Sequence, residues 1–168
     1  MAKINPRDVF VNADSFFVVC ALLNKEVRAG SGLILTHVIG TNAAFALELY
    51  LKTLILDETT IYRSTHDLWK LFNHLRPGTR SLLEREHADY VQARPEFARE
   101  AAMKNYPTEL KELLVRGRNT FVDFRYMHER FVSIKPRSTL FGLNHFTFVV
   151  RERILKAHPE WRSWPDEV

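Results

Sequence analysis

The segment NAAFALELYLKTLILDE, residues 42–58, decides the fold class because it forms the main part of a long apolar helix. We predict this helix over residues 33–57, with a broad stripe of side chains at the three- and four-residue spacing of one helical face. The stripe consists of Leu35, Val38, Ile39, Asn42, Ala46, Leu49, Tyr50 and Thr53. Alanines at positions 43, 44 and 46 leave room for neighbouring helices to approach closely.

Upstream and downstream of this segment, similar periodicity predicts further helices. The first runs from Val9 to about position 24 and is ended by Gly30-Ser31-Gly32. A short helix over residues 68–75 follows Ser64-Thr65-His66-Asp67, which offers a hydroxyl cap and a carboxylate for its first turn. Arg76-Pro77-Gly78 is expected to end that helix.

The second half of the chain is predicted to contain three more helical regions. Ser81 and Glu84 have capping-box spacing and open a helix that continues to about Arg94. Residues 108–128 are predicted as one helix despite Gly117. The last region, 140–157, is a helix or a strand-helix mixture, because residues 146–150 are rich in β-prone side chains. Residues 131–136 are predicted as extended chain or loop, and the segment between the prolines at 95 and 107 is left unassigned.

Together these segments predict an all-α, up-down bundle of five to seven helices in one domain over residues 1–168. A single cysteine, Cys20, excludes an intramolecular disulfide and any multi-cysteine metal site, and it fits a reducing compartment. The longest uninterrupted apolar run, residues 16–23, is far too short to span a bilayer. We therefore expect a cytoplasmic protein without a membrane segment.

Basic residues are concentrated in one part of the chain. The net charge is +4, and the stretch from Arg116 to Arg137 alone carries six basic residues against Asp123 and Glu129. Most of the six are arginines, whose planar guanidinium suits phosphate and carboxylate groups. The cluster indicates either an anion-binding surface or a solvated helix face with structural ion pairs.

Motifs for several kinds of chemistry are missing. The six glycines form no phosphate-binding loop, and there is no G-x-S-x-G nucleophile elbow. The seven histidines include no H-E-x-x-H pair, so we expect no metal and no cofactor. Cys20 is expected to pack as a small apolar side chain.

Three strings in this order resemble proteins of the HEPN superfamily. They are residues 42–58, the string STHDLWKLFNHL at 64–75, and the string RNTFVDFRYMHE at 118–129. The resemblance implies an up-down helical bundle that dimerises. It also implies a role in RNA cleavage or nucleotide handling, often in microbial defence or toxin-antitoxin systems.

Catalytic members of that superfamily carry an R-x4-6-H motif with a polar residue after the arginine. Arg118 and Asn119 match its first two positions, but positions 123, 124 and 125 hold Asp, Phe and Arg where the histidine belongs. His128 lies too far along the chain for this spacing. The motif also occurs at Arg80/His87, Arg151/His158 and Arg153/His158, a number that chance alone produces.

The candidate site residues follow from these strings. We predict Arg118 and His128 as catalytic candidates, and a ligand-binding set of Arg118, Asn119, Arg125, Glu129, Glu48 and Lys52. Arg118, Arg125 and Glu129 should stack along one helical face, because 7 and 11 residues are close to whole turns. Two alternatives stay open: Glu48 forms a surface pair with Lys52 or is partly buried against Arg125, and His128 is a core histidine or a base.

The favoured hypothesis is a homodimeric module that binds RNA, a nucleotide or a partner protein without strong catalysis. One alternative is a metal-independent ribonuclease that uses Arg118 with His128, or the Arg153/His158 pair. The other is a structural dimeric subunit whose arginines only form ion pairs.

Overall fold

The computed structural model describes residues 4–27, 30, 35–103, 105–125 and 140–162, with side chains except at 35–37, 123–125, 140 and 141. Within these ranges the chain is helical and contains no strand, so the predicted all-α bundle is confirmed. The helices are α1 Pro6–Glu26, α2 Leu35–Thr59, α3 Leu68–His74, α4 Pro77–Gln92, α5 Pro95–Met103, α6 Leu110–Arg116, α7 Thr120–Arg125 and α8 Leu140–Ala157, followed by a short 3-10 helix, Pro159–Trp161.

Helix α2 is the centre of the bundle. Helices α1 and α8 pack along it, α3 and α7 also contact it, and every residue from Ala46 to Leu56 is buried. The predicted single stripe is therefore too narrow, because neighbouring helices surround this part of α2. By length and composition Val38–Thr59 could cross a membrane, but 78% of its most apolar window is buried inside the bundle. That burial is the arrangement of a core helix.

The start of α3 differs from the predicted hydroxyl cap. Asp67 is the capping residue, and its Oδ1 accepts a hydrogen bond from the Lys70 backbone N–H at 3.0 Å. The Thr65 hydroxyl is used one step earlier, where it accepts from the Asp67 backbone N–H at 3.2 Å. The carboxylate caps the helix because it sits at the position from which it can reach the N3 amide.

The predicted capping box at Ser81 is also wrong. Helix α4 begins at Pro77, so Ser81 lies inside it. Proline fits the first position of a helix because the missing N–H would have no partner there. The Arg76-Pro77-Gly78 sequence therefore ends α3 and starts α4 at the same point.

The single helix predicted over residues 108–128 is wrong in its described part, which is broken into α6 and α7. Helix α6 ends before Gly117, and the Thr120 hydroxyl donates to the Gly117 carbonyl oxygen at 2.7 Å where α7 begins. Gly117 packs so tightly against α8 that a Cβ there would lie 2.8 Å from Leu143 Cδ1. Arg118 and Asn119 lie in the turn between the helices, so Arg118 does not stack above Arg125 on one continuous helix.

Two regions left open by the sequence are helical. Residues 146–150 belong to α8, where Phe146, Val149 and Val150 enter the core. Between the prolines at 95 and 107 lies α5, which buries Phe97 and Ala101. Residues 131–136 lie outside the described part of the chain.

A buried ionic cluster joins α1, α2 and α8. The Arg151 Nε donates to Asp14 Oδ1 at 2.5 Å, and the Tyr50 hydroxyl donates to the same oxygen at 2.7 Å. Burial and the Asp14 charge raise the pKa of Tyr50. Burial alone would lower the pKa of Arg151, but its contacts with Asp14 outweigh burial and raise it. Cys20 is buried beside Ile39 and Ala43, as predicted, and burial raises its pKa to about 11.

Candidate functional site

A second buried carboxylate, Glu48, lies on α2 and reaches the surface through a histidine. Glu48 is fully buried, and its Oε1 accepts from Lys52 Nζ at 2.7 Å and lies 2.9 Å from His66 Nδ1. Lys52 is only 3% exposed, so the alternative that places this pair at the surface is wrong, and Glu48 and Lys52 are paired in the interior. The His66 side chain, in contrast, is 53% exposed. Buried charges need partners. Glu48 has one buried partner, Lys52, and one partner at the surface, His66.

The hydrogen bond to Glu48 orients the His66 ring. An ionised carboxylate can only accept, so Nδ1 carries the proton of this bond. The other ring nitrogen, Nε2, is then left for a partner outside the pair. The second carboxylate oxygen, Glu48 Oε2, is buried and has no hydrogen-bond partner among the described residues. Lys52 and His66 therefore share one carboxylate oxygen.

Next to His66, an ion pair connects the α6–α7 turn to the start of α3. Arg118 donates from Nε to Asp67 Oδ2 at 2.9 Å and also from Nη2 to the same oxygen. The Leu68 backbone N–H donates to the Arg118 carbonyl oxygen at 2.9 Å. The Arg118 side chain is 43% exposed, and its Nη1 forms no hydrogen bond to a described residue. Asp67 thus fixes one edge of the guanidinium.

The electrostatics of this pair keep Asp67 ionised. Partial burial opposes its ionisation, but hydrogen bonds from Arg118 and from the Lys70 backbone, with the charges of Arg118 and Lys70, lower the pKa of the carboxyl below 3.8. Asp67 therefore stays negative across the neutral and mildly acidic range. The contribution of Lys70 also shows that this exposed side chain is close enough to add positive charge here.

Aromatic rings complete the surface. The Phe121 ring, in the first turn of α7, lies 6.1 Å from the His66 ring and stacks at 4.4 Å on Phe45. The exposed Tyr62 ring lies 5.3 Å from Lys52 Nζ. We call this surface the His66–Arg118 face, and its members are Tyr62, His66, Asp67, Lys70, Arg118 and Phe121, with Glu48 and Lys52 beneath.

The described side chains of the His66–Arg118 face carry an excess of positive charge. Glu48 and Lys52 cancel each other in the interior, and Asp67 is balanced by Arg118. Lys70 is exposed and has no such counter-charge among the face's described members, so their excess is cationic even with His66 neutral, which suits an anionic ligand.

Three predicted site residues meet at this face, namely Glu48, Lys52 and Arg118, and Asn119 is exposed in the same turn as Arg118. The Arg125 side chain, His128 and Glu129 lie outside the described part of the chain, so the alternative that buries Glu48 against Arg125 is not among the described contacts. Sequence reasoning did not single out His66 and Asp67, because it used their string as a helix start and as part of the HEPN resemblance and assigned no functional role to its individual residues. The signal that could have identified His66 was Glu48 on α2, because a buried glutamate needs a partner.

The other R-x4-6-H matches do not form shared sites. Arg151 is buried with Asp14. Arg153 pairs with Glu86 of α4 at 3.5 Å, while His158 pairs with Asp57 of α2 at 3.1 Å, so these two side chains contact different helices.

In the match Arg80/His87 the two side chains also contact different partners. Arg80 donates to Asn73 Oδ1 at 3.2 Å, and the buried His87 lies 3.1 Å from the Thr108 carbonyl oxygen through Nε2. Burial lowers the pKa of His87 despite this contact. None of the three matches therefore offers an arginine and a histidine to one ligand.

In the described ranges, no group of three or more His, Cys, Asp or Glu residues is arranged to hold a metal ion. The face offers instead an oriented guanidinium, an imidazole backed by a buried carboxylate, and exposed aromatic rings. No family model matches the chain, and no curated protein or solved structure matches it either.

Proposed function

We propose that this chain is a HEPN-like cytoplasmic binding protein that takes up the phosphate groups of a nucleotide or nucleic acid at the His66–Arg118 face, with weak or no catalysis. The observation that carries the proposal is the state of Arg118. Asp67 accepts hydrogen bonds from its Nε and Nη2, while Nη1 forms none to a described residue and the side chain is 43% exposed.

A guanidinium held in this way is prepared for an anion. Arginine presents several N–H groups in one plane, and charge-assisted hydrogen bonds to phosphate are stronger than neutral ones. Because Asp67 already fixes the side chain, less rotamer freedom is lost when a phosphate binds. Lys70 adds positive charge, and Tyr62 and Phe121 offer rings on which a base can stack.

The test is binding of a short fluorescent single-stranded RNA of mixed sequence, with adenosine monophosphate as a second probe. We expect affinity that falls with salt, and a loss of about fivefold or more with a reduced salt slope in Arg118→Ala. Arg116→Ala is the matched control, because Arg116 is exposed two residues earlier and its ion pair among the described residues is with Glu112 on its own helix. Absence of binding at low salt, or equal losses in both variants, would contradict the proposal.

Metal-independent RNA cleavage is a second candidate, and His66 is the observation that favours it. Cleavage of this kind needs an imidazole to move a proton and a cation to stabilise the phosphate, and His66 and Arg118 lie on one face. The assay is cleavage of mixed RNA in the presence of a chelator. Fast cleavage lost in His66→Asn would favour the nuclease, whereas cleavage lost only in His128→Ala would return the role to the residue predicted from sequence.

The predicted homodimer, which the HEPN resemblance implies, is part of the proposal. Exposed apolar side chains along α1 support it, because Val11, Val19 and Leu22 lie outside the core, as does Ile4 just before the helix. A second copy of this chain is the occupant that we propose. Light scattering should give a dimer mass at micromolar concentration, and a monomer mass would contradict it. A dimer without RNA binding would favour the structural subunit.

A further inference from the structure

We propose that His66 is a phosphate-binding residue of the His66–Arg118 face and that its imidazole takes up one proton when the phosphate binds. This rests on the proposed function, since it needs a phosphate ligand at that face. It goes beyond it by assigning a second binding group and by coupling affinity to pH.

The geometry determines which ring nitrogen is available. Nδ1 lies 2.9 Å from Glu48 Oε1 and donates to it. In the neutral ring Nε2 is then an acceptor and would repel a phosphate oxygen, which is also an acceptor. In the protonated ring both nitrogens donate, so Nε2 can donate to the phosphate while Nδ1 keeps its bond to Glu48. Binding through His66 therefore requires the imidazolium.

The described charges around His66 support a coupling between protonation of its imidazole and binding of the phosphate. From α2, Glu48 favours the imidazolium and Lys52 opposes it, and their charges compensate each other at 2.7 Å. On the other side Arg118 and Lys70 oppose a further positive charge, and Asp67 is occupied by Arg118. An incoming phosphate supplies the negative charge that these groups do not, so proton and phosphate should bind together.

The unpartnered oxygen of Glu48 adds a second, independent observation. Lys52 and His66 both bind Oε1, whereas the fully buried Oε2 has no partner among the described residues. All the hydrogen bonds of this buried carboxylate among the described residues therefore pass through the one oxygen that His66 Nδ1 contacts, which fixes the proton on Nδ1 and leaves Nε2 as the nitrogen available to a ligand.

The experiment measures RNA affinity at constant ionic strength between about pH 8 and pH 5, the range in which histidine changes charge. We expect the wild type to bind more tightly as pH falls, by up to about tenfold per pH unit for uptake of one proton. Titration calorimetry in two buffers of different ionisation enthalpy should show the proton uptake directly. Parallel titrations with adenosine monophosphate establish whether a free nucleotide supplies the phosphate.

Two substitutions at position 66 separate binding from structure. His66→Asn places an amide N–H near the position of Nδ1 and cannot accept a proton, and His66→Gln is the second variant if the first is unstable. In either, the pH dependence and the proton uptake should disappear, and affinity at about pH 5.5 should fall to no more than that of the wild type at about pH 8. His74→Asn is the matched control, since His74 is an exposed histidine at the far end of α3, the helix that His66 precedes.

Failure of this inference is distinguishable from failure of the proposed function. If Arg118→Ala weakens RNA binding but both position-66 variants keep the wild-type pH dependence and proton uptake, the inference is overturned and the binding proposal stands. If the wild type binds no RNA and no nucleotide at any pH, both are overturned. Loss of the pH dependence only in His74→Asn would also overturn the assignment to His66.

Discussion

The two carboxylates that are fully buried in the described part of the bundle, Asp14 and Glu48, have opposite surroundings. Asp14 is paired with Arg151 and Tyr50 inside the core, and all three side chains are buried. Glu48 is equally buried, but one of its two partners is the half-exposed His66, and one of its oxygens has none among the described residues. The first cluster is buried away from solvent. The second includes a side chain at the surface, His66, that contacts the buried carboxylate.

The difference separates a structural role from a functional one. A closed cluster satisfies its own groups and joins three helices, so removing a member should affect folding. An open cluster orients a side chain at the surface and leaves that side chain available. An exposed side chain that is oriented by a buried carboxylate can contact a ligand, whereas a fully buried cluster cannot, and this is why the proposals concern His66 and not Asp14.

The largest effect is expected from breaking the closed cluster. Arg151→Leu leaves Asp14 fully buried with Tyr50 alone, and loss of one member of a buried ion pair costs about 3–5 kcal/mol of unfolding free energy. Urea denaturation measures it. Arg153→Leu, on the same helix but partly exposed, should cost no more than about 1 kcal/mol. Similar losses for the two variants would contradict the distinction.

A smaller effect is expected in the open cluster. Lys52→Met removes the buried partner of Glu48, but His66 can compensate by binding a proton. We expect a loss of about 1–3 kcal/mol at about pH 8, and a smaller loss relative to wild type at about pH 5.5. A difference between variant and wild type that is independent of pH would show that His66 does not compensate Glu48.

The wild type itself should lose stability in acid because of a different histidine. Burial, with the charges of Arg94 and His87, lowers the pKa of His145 from 6.5 to about 4. Between these values the unfolded chain binds a proton that the folded chain does not, so stability falls as pH drops from 6.5, by up to about 1.4 kcal/mol per pH unit for one group. Thermal unfolding of His145→Gln should show a weaker pH dependence, and an unchanged one would contradict this assignment.

The smallest effect is expected where the Arg118 ion pair is weakened. Asp67→Asn keeps a good helix cap but removes the charge that Arg118 binds. Because the Arg118 side chain of this pair is 43% exposed, we expect the free energy of unfolding from urea denaturation to fall by at most about 1 kcal/mol. A loss above about 3 kcal/mol would mean that the pair is a structural support of the fold, in agreement with the structural-subunit alternative.

The helices were predicted well where the apolar pattern extends over many turns. They were predicted poorly where a single contact or residue sets the end of a helix. The apolar period of α2 and of α1 is visible over many turns. The break at Gly117, in contrast, depends on close packing against Leu143, which is far away along the chain. Ser81 and Glu84 have the spacing of a capping box, but the helix already begins at Pro77, about one turn earlier.

The candidate site was predictable only in part for a similar reason. Glu48, Lys52 and Arg118 were singled out by composition and by the HEPN resemblance. His66 was missed because its partner Glu48 lies 18 positions earlier, a separation that no local motif contains. Only the physical requirement that a buried carboxylate be paired connects these two residues.

The most direct test of the central claim, that the His66–Arg118 face binds phosphate, follows the imidazole C–H signals of the histidines by NMR during RNA titration at low salt. We expect the His66 signal to shift. The signal of His158, which pairs with Asp57 and stacks at 3.9 Å on Trp161, should stay in place. A shift at His158 with none at His66 would contradict the claim, because the ligand would then bind elsewhere on the bundle.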